Sequence, residues 1–176
     1  MKNFLDKIFS RSKNFDYISQ NLKNISLNTP ANKIFEVINN FSEKSEIRYV
    51  GGCVRQVINK EIVDDIDLAT NLTPHEVCEA LKKKQISYYE TGIEHGTVTA
   101  IIDEHKFEIT SLRKDVSTDG RHAEVEFSLD WQEDASRRDF TINSIYADSD
   151  GNLFDTFYGK KDLEDGYINF IGNVEI

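Results

Sequence analysis

Gly51-Gly52-Cys53-Val54-Arg55, followed by Asp64-Asp65-Ile66-Asp67-Leu68, decides how this chain is read. The first stretch sets a glycine pair before a short apolar helix pattern. Backbone N–H groups are free at a helix start, and without side chains to obstruct approach they receive phosphate oxygens. Arg55 adds a charged fork one helical turn on. The second stretch reads as the entry to a strand. Side chains alternate there, so Asp65 and Asp67 share one face about 6.5 Å apart while Ile66 and Leu68 enter the core. Two carboxylates at that spacing suit magnesium, which is held by one or two carboxylates plus substrate phosphates. The bland alternative is a solvated acidic strand edge. The glycine turn and the cation just upstream favour a site for a triphosphate held with divalent metal.

Working outward, the pattern from residue 47 is one of short strands alternating with helices. Residues 47–50 read as a strand, 51–52 as a turn, 53–59 as a helix and 66–69 as the next strand. Thr73-Pro74-His75-Glu76 is a capping-box helix start, with Thr73 as cap and Glu76 at the third position, for a helix reaching about residue 84. Strands follow at 86–90, 97–102, 106–112 and 123–127, the middle two joined as a hairpin through Asp103-Glu104-His105. The economical arrangement is an α/β fold, a mixed sheet with helices on one side. Upstream, Thr29-Pro30 starts a helix whose stripe is Ala31, Ile34, Phe35, Ile38 and Phe41. Residues 1–28 form a leader with apolar residues Phe4, Leu5, Ile8, Phe15, Ile18 and Leu22 at roughly helical intervals. It reads either as a short amphipathic helix or two, or as a partly ordered basic leader. Residues 29–176 make the main domain.

The 176 residues fit one domain with an N-terminal appendage, and 39% hydrophobic and 11% aromatic content is that of a globular chain. No stretch approaches a membrane span, and the first nine residues carry an acid inside too short an apolar region for a secretory signal, so a cytoplasmic location is expected. Cys53 and Cys78 lack the spacing of a disulfide framework or zinc site and are expected to be buried thiols. The net charge is −10, from 31 acidic and 21 basic residues. Affinity for a polyanion must therefore be local or be supplied by something outside these residues.

Two further segments carry chemistry. In 106–112, Phe107 and Ile109 alternate with Glu108 and Thr110, which leaves Glu108 either as a third carboxylate beside the aspartates or as a surface residue. In Ser136-Arg137-Arg138-Asp139-Phe140-Thr141-Ile142-Asn143-Ser144-Ile145, a helix would put Asp139 and Asn143 on one face, four apart, with Phe140, Ser144 and Ala147 turned to the core. That polar face suits a ribose, and the arginines suit phosphates or a base. The bland reading is surface charge at a helix start. The polar stretch 115–122 reads as a mobile loop.

Together these segments strongly resemble the class II tRNA nucleotidyltransferase and bacterial poly(A) polymerase family. The resemblance rests on Gly51-Gly52-x-x-Arg55, Asp65-x-Asp67-x-Ala69-Thr70, Glu108-Ile109-Thr110-Ser111-Leu112-Arg113, Arg137-Arg138-Asp139-Phe140-Thr141-x-Asn143 and Gly159-x-x-Asp162-Leu163. It runs from about Tyr49 to Gly172. Thr118-Asp119-Gly120-Arg121-His122-Ala123 and the Asp130-Trp131 and Asp134-Ala135 pairs are similar to CCA-adding enzymes of alphaproteobacterial type.

The resemblance implies the catalytic head's nucleotidyltransferase fold, Mg2+ dependence, ATP and CTP as substrates, and a tRNA 3′ end as acceptor. It places metal binding on Asp65 and Asp67, nucleotide contacts on Gly51, Gly52 and Arg55, and ribose recognition on Arg138, Asp139 and Asn143. A loop that helps switch between CTP and ATP corresponds to about 114–122. Poly(A) polymerase or partial CC- or A-adding activity remains the alternative product, and a nucleotide-binding or inert interaction module the alternative class.

Gln56 stands where the family often has Asp, and Asn169 where it commonly has Arg. The base-reading E-D-x-x-R helix of the family follows the segment ending at Gly172, and neither it nor the neck, body and tail is present. The expectation is therefore a head domain cut from a longer protein or paired with a second polypeptide.

Overall fold

The computed structural model describes residues 17–116 and 124–172. Its main sheet has seven strands in the order β3-β4-β5-β2-β1-β8-β9. These are β1 (Ile47–Val50), β2 (Ile66–Thr70), β3 (Ser87–Gly92), β4 (Thr97–Ile102), β5 (His105–Ser111), β8 (Tyr146–Ala147) and β9 (Leu153–Phe154). A separate ribbon pairs β6 (Arg113–Val116) with β7 (Glu124–Phe127). The helices are α1 (residues 17–28), α2 (Ala31–Asn39), α3 (Gly52–Asn59), α4 (Pro74–Lys83), α5 (Trp131–Ser136) and α6 (Gly159–Asp165).

β2 lies at the centre, antiparallel to β1 and parallel to β5. The chain between them passes through α4 and the β3–β4 pair, the long crossover that parallel neighbours require. Strand alternation sorts the sheet's two faces. Tyr49, Leu68, Val98, Ala100, Phe107 and Ile109 join the large core with the apolar stripes of α1 to α4. Val50, Ala69 and Tyr146 face the other way, packing with Leu112, Ala135 and Trp131. The helices are thus not confined to one side as expected, because Ala135 and Trp131 bring α5 onto the opposite face.

Most of the expected elements form within a residue or two of their read boundaries. The capping box at Thr73 is complete: the Glu76 amide donates to Thr73 Oγ1 at 3.4 Å, and the Thr73 amide donates to Glu76 Oε2 at 2.8 Å. Cys53 and Cys78 are buried free thiols. α1 brings Ile18 and Leu22 into the core, and Ser26 Oγ lies 2.6 Å from the buried Tyr49 hydroxyl. Phe4, Leu5, Ile8 and Phe15 fall outside the described residues.

Two readings are corrected. Residues 115 and 116 of the expected loop are the end of β6, since the ribbon pairs Asp115 with Val125 and Val116 with Glu124; residues 117–122 of that loop, and Ala123 of the strand expected after it, lie outside the described residues. The helix expected through 136–145 does not form. α5 ends at Ser136, Phe140 is extended (φ −118°, ψ 146°), and only Thr141–Asn143 make a 3-10 turn. The Phe140 amide donates to its neighbour's Asp139 Oδ1 at 2.8 Å, and Phe140 bridges to Phe170 with the rings 4.7 Å apart. A local side-chain cap and a tertiary partner together outcompete the helical ladder. Phe140 is therefore half-exposed on Phe170, whereas Ser144 and Ala147 are buried as expected.

α6 buttresses this turn. Asp155 caps it, accepting from the Gly159 and Lys160 amides at 2.8 and 2.9 Å, and Thr141 Oγ1 donates to Asp162 Oδ2 at 2.6 Å. A Cβ on Gly159 would lie 2.1 Å from the Thr141 carbonyl oxygen, so α6 reaches the turn only because residue 159 is glycine. Gly159→Ala is expected to destabilise the protein by about 1–3 kcal/mol through this overpacking. Urea denaturation checks it, and an unchanged midpoint would refute the contact.

Candidate active site

The site begins where β1 runs into α3. Gly51 holds φ +66° and ψ −122°, a backbone conformation that side chains disfavour, and its amide donates to the Ile145 carbonyl at 3.3 Å. Gly52 opens α3, and a Cβ there would lie 3.8 Å from Asp67 Oδ2. The glycine turn and the β2 carboxylate are thus immediate neighbours. Cys53 Sγ, buried behind them, lies 3.3 Å from the Val50 carbonyl and 3.6 Å from that of Asp67. Burial pushes its thiol up to about 11, so it is a neutral structural group.

Asp67 pairs in parallel register with Glu108 of β5. Directly opposite residues in a sheet put their side chains on the same face, so Glu108 stands beside Asp67. Asp65 immediately precedes β2, which starts at Ile66; Ile66 is half-buried and Leu68 fully buried. The Asp67 carboxyl is held above the usual carboxylate range, chiefly by burial, then by the negative charges of Glu108 and Asp65, with Arg138 opposing. Asp67 thus stands against the glycine turn, with the charges of Glu108 and Asp65 close enough to act on it.

Among the described residues no group of three or more His, Cys, Asp or Glu side chains converges as a ready-made metal cage. The donor set nevertheless fits a hard divalent ion, which takes carboxylate oxygens and completes its shell with substrate phosphates. The uncompensated charge at Asp67 is what such an ion would neutralise.

The third component is the 137–143 segment. Arg55 Nη1 donates to Asn143 Oδ1, and Asn143 Nδ2 donates to Asp139 Oδ1 at 3.2 Å. Asp139 and Asn143 therefore do meet, through the 3-10 turn and not through the expected helix face. Burial acts to raise the Asp139 carboxyl, but hydrogen bonds from Asn143 and the Phe140 amide hold it below the usual range. Arg138 Nη1 donates to the Asn143 carbonyl at 3.4 Å and lies 3.9 Å from where a Gly51 Cβ would stand. All nine residues singled out in the sequence thus border the glycine turn or one another: Gly51, Gly52, Arg55, Asp65, Asp67, Glu108, Arg138, Asp139 and Asn143.

In the sequence Asp134 enters only through the Asp134-Ala135 pair of the resemblance, with no role in the site assigned to it. Its side chain is only 1% exposed, and both arginines converge on it. Arg137 Nε and Nη2 donate to Oδ1 at 2.9 and 2.8 Å, while Arg138 Nε and Nη2 donate to Oδ2 at 3.2 and 3.0 Å. The Tyr146 hydroxyl and the Arg113 amide complete the set at 2.6 and 3.2 Å. The available signal was an acid followed by arginines three and four residues on, a spacing at which side chains meet.

A mixed sheet that sets a glycine turn against strand carboxylates, with the polar edge of Arg138, Asp139 and Asn143 alongside, is the nucleotidyltransferase type of fold. The chain belongs to the poly(A) polymerase head domain family, whose model matches residues 47–169. It is 48% identical over 134 residues to the human protein "CCA tRNA nucleotidyltransferase 1, mitochondrial", and 41% identical over 129 residues to the CCA-adding enzyme of Oceanobacillus iheyensis. These stretches cover 76% and 72% of this chain but 31% of either relative. Among solved structures, the CCA-adding enzyme of Bacillus stearothermophilus in complex with CTP superposes with a TM-score of 0.70 at 28% identity, over 81% of this chain and 33% of that one. A tRNA nucleotidyltransferase complexed with a primer tRNA and an incoming ATP analogue gives 0.62 at 25% identity, over 79% and 39%.

Burial acts to raise the Asp134 carboxyl, yet the Arg138 and Arg137 charges and the Tyr146 hydroxyl hold it below its ordinary value. A depressed folded pKa contributes stability that is present above the unfolded value, near 4, and lost as pH falls through the folded value. Asp134→Asn is expected to cost about 3–5 kcal/mol at neutral pH, because it leaves two guanidinium groups without their counter-charge. The cost should shrink on acidification below pH 4. Denaturation at a series of pH values measures this, and a pH-independent difference would contradict the ion-pair account.

Proposed function

We propose that this chain is the nucleotidyl-transfer centre of an enzyme that extends the tRNA 3′ end from CTP and ATP, adding or repairing CCA. The carrying observation is the register that sets Asp67 beside Glu108 with the side-chain-free Gly52 against that carboxylate. The relatives that are CCA-adding enzymes, and the solved complexes with CTP and with primer tRNA plus an ATP analogue, support the choice of substrates.

In this reading the turn at Gly51, whose own amide is held by Ile145, opens the way to the Gly52 backbone, and that backbone with the guanidinium of Arg55 receives the triphosphate. Arg138, Asp139 and Asn143 border the ribose, and their mutual hydrogen bonds fix that edge before substrate arrives. Asp65 and Asp67 would hold divalent metal, Mg2+ by the chemistry of its oxygen ligands, with Glu108 as the adjoining carboxylate. When bound, two such ions supply a lowered pKa for the attacking 3′-hydroxyl and charge compensation on the leaving pyrophosphate. The hydroxyl oxygen forms a bond to the α-phosphorus as the α–β bridging bond breaks, and no covalent enzyme intermediate is required.

A second reading keeps this chemistry and changes the product to poly(A) or a partial CC or A end, favoured by the poly(A) polymerase head domain match. Product gels on a tRNA lacking CCA separate the two: a long adenosine ladder excludes CCA addition.

Asp67→Ala is expected to reduce incorporation of labelled CTP and ATP by at least about a hundredfold in the full-length enzyme. Its melting temperature should be no lower than that of the native protein, since the change relieves repulsion from Glu108 and Asp65. Near-native incorporation by this variant would sink the assignment.

A further inference from the structure

Arg138 is tied down on one edge and aimed with the other. Its Nε and Nη2 both donate to Asp134 Oδ2, while its Nη1 reaches the Asn143 carbonyl and the glycine turn. A guanidinium is planar, so locking one edge dictates where the opposite nitrogen stands. The lock itself is over-determined. The Tyr146 hydroxyl donates to Asp134 Oδ2 at 2.6 Å and accepts from Arg138 Nε at 3.1 Å, which closes a three-membered ring of hydrogen bonds. Tyr146 is 3% exposed; the Trp131 ring meets it edge-on at 5.4 Å, and the Arg138 guanidinium carbon sits 5.3 Å from its ring centre. Asp134 in turn is pinned by the Arg113 amide and by Arg137.

A carboxylate that saturated is more than the fold of a six-residue helix needs. Charge balance alone would be served by one arginine, and the segment it anchors is the one that failed to become helical. We propose that Asp134 and Tyr146 are positioning residues: they form a buried clamp that fixes the Arg138 fork at the glycine turn, so that Nη1 is presented to the nucleotide without reorganisation. The clamp rests on the reading of Arg138 as a nucleotide contact and adds the residues that make that contact productive. Buried, fully satisfied polar networks of this kind rigidify a site because each bond constrains its neighbours.

Tyr146→Phe is the discriminating variant, because it removes one hydroxyl and keeps the ring packed against Trp131. In the protein labelled with 15N, the Arg138 Nε–H signal, assigned by its loss in Arg138→Lys, is expected to exchange slowly with solvent and to exchange roughly fivefold faster in Tyr146→Phe. By calorimetry with CTP and magnesium, Tyr146→Phe should weaken binding by a similar factor of about five in the native background and have no effect in Arg138→Ala. A merely structural tyrosine would lower affinity equally in both backgrounds, and that result overturns the inference. So does a rapidly exchanging Arg138 Nε–H in the native protein, which would leave the nucleotide site itself intact. If Arg138→Ala leaves CTP affinity unchanged while the signal is protected, the reading of Arg138 as a nucleotide contact falls, and the inference falls with it.

Discussion

The parallel pairing of β2 with β5 is the constraint on which the rest of the molecule depends. Leu68 and Ile109 are both fully buried on one face, and a one-residue slip of either strand would drive Asp67 or Glu108 into that core. The hydrophobic face therefore enforces the register, and the register forces two carboxylates side by side on the other face. Burial first, and then their repulsion with Asp65 added, hold the Asp67 carboxyl above the usual range. Folding thus accepts an electrostatic cost at one point because the apolar gain on the opposite face is shared by every strand around it. A site strained in this way by like charge is complementary to cations.

β2 supplies only one wall. The opposite wall is the 137–143 segment, which has little regular structure of its own and is held from three directions. α6 reaches it through Gly159 and Asp162, and the turn beyond α6 reaches it through backbone hydrogen bonds from Thr141 to Asn169 and from Ile171 to Asp139. Asn143 then joins this wall to α3 by accepting from Arg55 and donating to Asp139. The polar edge is consequently as rigid as the helices behind it, which is how an irregular segment holds donors and acceptors at fixed positions.

What was legible in the sequence follows from this division. The glycine turn, β2 and the Thr73 capping box are local: each is specified by residues within a few positions, and each formed where it was read. The 136–145 segment was misread because its helical spacing is real but its outcome is decided by Phe170, thirty positions away from Phe140 in the chain, and by the cap that Asp139 places on the next amide. β8 and β9, two residues each, are too short to show a period of two. Asp134 contributes a pair to the resemblance, but nothing around it in the sequence marks it, among 31 acids, as the buried partner of two arginines. Its burial is created by Tyr146 and Arg113, neither of which is near it in sequence.

The arginines of the candidate site are not equivalent, and the difference bears on how so acidic a chain would face the triphosphate of the proposed function. Arg137 and Arg138 share one buried carboxylate, so a large part of their charge is already balanced inside the protein. Burial works to lower the Arg138 pKa, and its Tyr146 and Asp134 partners raise it further still, which keeps the guanidinium fully charged but committed. What Arg138 offers a ligand is direction. Arg55 is different: among the described residues its guanidinium donates to the neutral Asn143 and makes no ion pair. Its charge is therefore one that added phosphate oxygens can still draw on, and it lies one turn from the Gly51-Gly52 pair. With an overall charge of −10, long-range attraction of a polyanion is weak. In the proposed function, selectivity comes from short-range complementarity: the cation at Arg55, the fork at Arg138, and carboxylates whose crowding calls for a divalent metal beside an anionic substrate.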